Sequence, residues 1–282
     1  MIIKALNAGD FKLDGGAMFG VVPKSIWERF NPSDENNLCT WATRCLFISN
    51  GNKKILIDTG IGDKQPETFF KHYYRSNSKS WNESLSSIQE SPESITDVIL
   101  THLHFDHVGG ATYSKGDVVV PTFPNATYWV HSKQWEWAIH PNPREKASFL
   151  KENLLPLQQS GQLKFWDVEM PDWKFLEMIT VDGHTEKQLL PLIHTEKGSL
   201  LFAADLIPSY GHIALPYVMS YDVRPLLTME EKESVLSMAV DQQWTLFFEH
   251  DPVNECGSLI RTEKGIRINK LGSLEDWWNE IL

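Results

Sequence analysis
The stretch Thr-His-Leu-His-Phe-Asp-His-Val-Gly-Gly at 101–110 packs four strong metal-ligand side chains, His102, His104, Asp106 and His107, into six positions. Polar groups this costly to desolvate are of no use to an apolar core, so something must hold them, and a metal ion is the natural candidate. His102 and His104 are two apart, so at the end of a strand both imidazoles point to one side. Asp106 and His107 then turn away with the loop, toward a second position. Imidazole and carboxylate suit zinc and other borderline first-row metals, and none of the four positions supplies a soft thiolate.

Three later islands have the character of the remainder of a two-metal site. Asp182-Gly183-His184-Thr185 is a glycine turn presenting a histidine, Ala203-Ala204-Asp205 ends an apolar run in a carboxylate, and Phe247-Phe248-Glu249-His250-Asp251 ends one in a histidine. Taken singly, each reads as a structural or surface residue as readily as a ligand. Their order after the 101–110 motif is what gives them meaning.

These residues must be positioned by something. The β-branched and apolar run 98–101 leads into the motif, which puts the ligands at the C-terminal edge of a strand, where open α/β architectures place their sites. Hairpins are predicted for 45–49 with 54–58, around Asn50-Gly51-Asn52, for 189–194 with 199–203, and for 258–261 with 265–268. Helices are predicted over 67–74, 81–89, 132–139, 144–152, 229–240 and 274–281, with Thr228 and Glu231 as a capping box for the fifth. Hairpins in each half with helices between them predict sheets covered by helices in one domain, 1–282. Trp129, Trp135 and Trp137 read as core or pocket wall, core first, and His72, His131, His140, His194 and His212 as surface or hydrogen-bonded residues.

Composition narrows the function. With 41% apolar and 22% charged residues over 282 positions the chain is globular, and no apolar run approaches a membrane span. No secretory leader is visible at the start, and three cysteines without Cys-x-x-Cys spacing predict a reducing, cytoplasmic setting. A net charge of −11 without a basic stripe argues against nucleic acid as a partner and for a small-molecule substrate. Oligomeric state is not encoded in any feature of the sequence.

With Leu56-Ile57-Asp58-Thr59-Gly60 preceding the histidine motif and Gly183-His184, Asp205 and His250 following it in order, residues 41–255 resemble the metallo-β-lactamase superfamily. The resemblance implies an α+β fold, a four-layer αβ/βα sandwich with two facing mixed β-sheets. It implies two zinc ions, with other divalent first-row metals as alternatives. His102, His104 and His184 would take the first, Asp106, His107 and His250 the second, and Asp205 would bridge them. Asp58 would support the loop. The implied chemistry is hydrolysis of an ester, lactone or thioester by a metal-bridging hydroxide, with Asp106 passing a proton to the leaving group. The tone of the motif is similar to the lactonase and organophosphate-hydrolase branches, and the opening 14–23 resembles their opening hairpin. Acyl-homoserine lactonases carry a tyrosine three positions after the bridging aspartate, where this chain has Pro208, with Tyr210 two positions further on. Tyr210 therefore either polarises a carbonyl or packs. The alternatives are a phosphotriester hydrolase, a nuclease, which the acidic balance disfavours, and an iron-dependent redox enzyme, for which 282 residues leave no room for a flavin domain.

Overall fold
The computed structural model describes residues 1–279, so the end of the helix predicted over 274–281 lies partly outside the described residues; its described part is a short helix, Leu274–Trp278. The chain divides into two compact units, 1–11 with 43–172, and 12–42 with 173 onward.

The strands of the first half of the chain are β1 (Ile2–Asp14), β2 (Leu38–Asn50), β3 (Lys53–Ile57), β4 (Asp97–Ile99), β5 (Thr112–Lys115), β6 (Val118–Pro121), β7 (Thr127–Val130) and β8 (Leu163–Phe165). Six of them form a mixed sheet in the order β1-β2-β3-β4-β7-β8, and β5 and β6 form a separate ribbon. β2 meets β3 antiparallel across a two-residue turn, and β3, β4, β7 and β8 run parallel. Ile55, Leu56, Ile57, Val98, Ile99 and Leu100 are fully buried, the continuous apolar pattern of parallel strands covered on both faces. The core of this unit joins Leu56, Val98, Leu100, Tyr128 and Val130 to Trp135 of helix Ser132–Ile139 and Leu154 and Leu157 of helix Lys151–Gln159. Each such side chain contributes about 1.5–3 kcal/mol on burial.

In the second unit β9 (Leu176–Val181), β10 (Gln188–Thr195), β11 (Gly198–Phe202), β12 (Thr245–Phe247), β13 (Cys256–Thr262) and β14 (Gly265–Gly272) form a second mixed sheet, in the order β14-β13-β12-β11-β10-β9. Only β11 and β12 pair in parallel. The hairpin tips pair Thr195 with Gly198 and Thr262 with Gly265. Helix Pro225–Asp241 packs on β13 and β14 and buries Val235, Leu236 and Ala239.

Several elements differ from expectation: the helices expected over 67–74 and 81–89 end at Phe70 and Ser86, and the opening expected as a hairpin holds a short helix, Gly15–Phe19. The long helix starts at Pro225, not Thr228, because proline at the first position presets its φ and Glu231 is engaged elsewhere. Residues 144–148 form turns and the helix begins at Lys151, because the Asn142 side-chain carbonyl accepts the backbone N–H of Arg144 and Glu145. Among the described residues no helix is long and apolar enough to cross a membrane.

Candidate metal centre
In the first unit the site begins where β3 ends. Asp58 is buried, sits at a φ of +56°, and accepts the Thr101 backbone N–H at 2.8 Å and the Thr101 hydroxyl at 2.6 Å. Its carboxylate also lies 3.0 Å from His107 Nδ1. A carboxylate only accepts, so His107 carries its proton on Nδ1 and keeps a lone pair on Nε2. Thr101 spends its hydroxyl proton on Asp58 and therefore accepts from His102 Nδ1 at 3.1 Å, which leaves His102 Nε2 basic. His104 Nε2 lies 3.3 Å from Glu145, which leaves Nδ1 as its basic nitrogen. Those two basic nitrogens, His102 Nε2 and His104 Nδ1, face each other at 3.0 Å. Two lone pairs at that distance repel unless a cation sits with them, and a metal ion fits.

Asp106, half-buried in the short helix Phe105–Val108, places an oxygen 3.9 Å from His107 Nε2. Beside it Phe105 packs against Phe69 and Tyr73 at 5.2 and 4.8 Å, and burial, with the Asp106 charge adding to it, raises the Tyr73 phenol above its usual range. A Cβ on Gly109 would lie 1.9 Å from the Ile61 carbonyl oxygen, so only glycine lets the ligand loop lie against that segment.

In the second unit His184 follows β9 on a turn held by Glu231, whose carboxylate accepts the backbone N–H of Asp182 at 2.7 Å and of Gly183 at 2.9 Å. His184 Nδ1 meets Asp222 at 2.9 Å, which leaves Nε2 basic and 3.1 Å from Asp205 Oδ2. His250, past the end of β12, donates Nδ1–H to the Ala42 carbonyl at 2.7 Å and places Nε2 3.0 Å from Asp205 Oδ1. The Asp205 carboxylate, 6% exposed, therefore meets a different imidazole with each oxygen.

Of the seven ligands expected from sequence, His102, His104, Asp106 and His107 lie in the first unit and His184, Asp205 and His250 in the second. Their oxygen and nitrogen atoms are of the kind that hold a divalent metal. Glu145 and Asp222, which fix a ligand tautomer, have no signature in the sequence, and the capping-box spacing of Glu231 does not foretell its hold on the turn beneath His184. Tyr210 is half-buried, edge-on to Phe30 with ring centroids 5.7 Å apart, and its backbone N–H donates to Asp251. Burial and the Asp251 charge push its phenol up. His212 is fully buried, stacked on Phe19 at 4.4 Å, and hydrogen-bonded by Ser209 and the Met18 carbonyl.

Residues 40–250 match the family model of the metallo-beta-lactamase superfamily. A probable metal-dependent hydrolase from Staphylococcus aureus shares the fold with a TM-score of 0.88 at 28% identity, over 96% of each chain. The dizinc quorum-quenching lactonase AidC superposes with a TM-score of 0.76 at 20% identity, covering 94% of this chain and 92% of its own. In sequence, an N-acyl homoserine lactonase of Bacillus cereus is 23% identical, over 86% of this chain and 90% of that protein.

Proposed function
The chain belongs to the metallo-β-lactamase superfamily, with its α+β fold of mixed sheets and helices, as a metal-dependent hydrolase, and from that premise we propose a dinuclear enzyme acting on an ester, lactone or thioester. In this reading residues 1–282 work as one domain. His102, His104 and His184 hold one ion, Asp106, His107 and His250 hold the other, and Asp205 joins them. Zinc is the ion of choice, with other divalent first-row metals able to replace it. The observation that carries the reading is the Asp205 carboxylate, which offers one oxygen beside each of two imidazole nitrogens at 3.1 and 3.0 Å.

Bound divalent ions supply Lewis acidity, lowering the pKa of water and polarising the substrate carbonyl. The chain supplies the rest. Asp58, Glu145, Asp222 and the Ala42 carbonyl hold one proton on each of four imidazoles and so aim the other nitrogen. Asp106, half-buried at the start of its helix, carries a proton toward the leaving group. Phe69, Tyr73 and Phe105 present an apolar wall beside it. Tyr210 packs against Phe30. The substrate is a small molecule, consistent with 37 acidic against 26 basic residues, and the setting is cytoplasmic, consistent with three free buried cysteines.

Elemental analysis of protein purified without added metal, paired with a hydrolysis screen over lactones, thioesters and phosphotriesters, tests this. Close to two ions per chain and turnover of at least one carbonyl substrate are expected. Asp205→Ala should lose metal and turnover while circular dichroism stays native. Fewer than one ion per chain, or full turnover by that variant, overturns the reading.

A further inference from the structure
A groove of about 300 Å³ lies in the second unit, away from every residue assigned above to metal binding. Ile213, Pro216 and Leu236 contribute apolar lining, and Arg261, Lys264 and Arg267 of the β13–β14 hairpin supply cationic heads. In a chain with 26 basic and 37 acidic residues, three cations and one acid, Glu233, around one groove run against the overall balance. Arg261 meets Asp241 in an exposed pair of the kind that contributes little. Among the described residues Lys264 and Arg267 have no ion-pair partner, and Arg267 donates only to the neighbouring Ile266 carbonyl. An apolar trough beside unneutralised cations is complementary to a molecule that is itself apolar along its length and anionic at one end.

We propose that this groove binds a carboxylate with a medium-length alkyl chain, the chain along Ile213, Pro216 and Leu236 and the head toward Lys264 and Arg267. The occupant would also press on the loop that follows Tyr210. Lys232, fully buried on helix Pro225–Asp241, donates to the carbonyls of His212, Ala214 and Tyr217 at 3.0, 3.0 and 2.9 Å, so one ammonium draws that loop into a fixed arc. The arc runs on to Asp222, the partner of His184 Nδ1. Filling the groove therefore steadies the segment that orients a metal-site histidine. The inference stands on the groove and does not require that the chain hydrolyse any particular ester.

Calorimetric titration of the full chain with octanoate, with octylammonium and acetate as controls, tests it alongside hydrogen exchange. Saturable binding of octanoate alone is expected, with protection rising over residues 212–217. Lys264→Glu combined with Arg267→Glu, both on the exposed hairpin, should weaken binding at least tenfold with an unchanged dichroism spectrum; Lys264→Ala alone should weaken it about threefold. No saturable binding of octanoate, equal binding of octylammonium, or undiminished binding by the double variant overturns the proposal.

Discussion
His212 shows what full burial does to an imidazole. Its Nε2–H donates to the Met18 carbonyl at 2.9 Å and its ring lies flat on Phe19, so burial pushes its pKa down to about 3. The unfolded chain protonates this residue near pH 6.5 whereas the folded one does so only near 3. Between those values the unfolded state binds the extra proton, and stability is lost as pH falls through that window. His212→Gln should therefore flatten the acid limb of a stability-versus-pH curve measured by urea unfolding; an unchanged limb would assign the loss to other groups. Tyr210 carries the opposite expectation. Packed on Phe30, it should tolerate Tyr210→Phe with kcat within about twofold of the parent, whereas loss of a carbonyl-polarising donor would cost roughly 10- to 100-fold. The proposed ligand set can be read from the sequence because four donors crowd six positions and three more follow at strand ends. Glu145 and Asp222 cannot be, since a lone carboxylate reaches its histidine across 41 or 38 residues of chain and leaves no spacing to read.

At the scale of elements, the apolar strands that end at polar tips were legible, whereas β1, β5, β6 and β8 and the starts of two helices were not. Continuous apolar runs such as Leu200-Leu201-Phe202 and Leu246-Phe247 have one use in a folded chain, and each ends beside a polar tip. The pair Thr228 and Glu231 has the spacing of a capping box, yet Glu231 reaches across to Asp182 and Gly183 and holds the turn that presents His184. Local pattern could not reveal that preference, because the competing donors lie 48 and 49 positions away. Glu231→Ala leaves two backbone N–H groups of that turn without their acceptor and should destabilise the fold by roughly 1.5–3 kcal/mol. The sharper expectation is kinetic: kcat should fall more than tenfold with KM nearly unchanged, because the loosened turn misplaces His184. A variant with native kcat and lowered melting temperature would leave Glu231 a purely structural role.

For the whole molecule, the units interleave along the chain, 1–11 with 43–172 and 12–42 with 173 onward, and four of the seven proposed ligands come from one and three from the other. The motif order implies one domain and carries no sign of this interleaving, because β1 and β2 continue through both division points without a break in their pattern. If the ions are shared as proposed, metal binding is linked to the folding of both units, not to one alone. A ligand present at a thousand times its dissociation constant adds about 4 kcal/mol to the folded state. In domains only slightly larger than these units each kcal/mol moves the midpoint by about 2–4 °C, so losing even one ion should lower the melting temperature by about 8–16 °C. Calorimetry before and after chelation should show both units losing stability, with the loss restored by added zinc. A transition in which only one unit responds would mean that the ions are held within that unit, and the assignment of His102 and His104 to the same ion as His184 would fall with it.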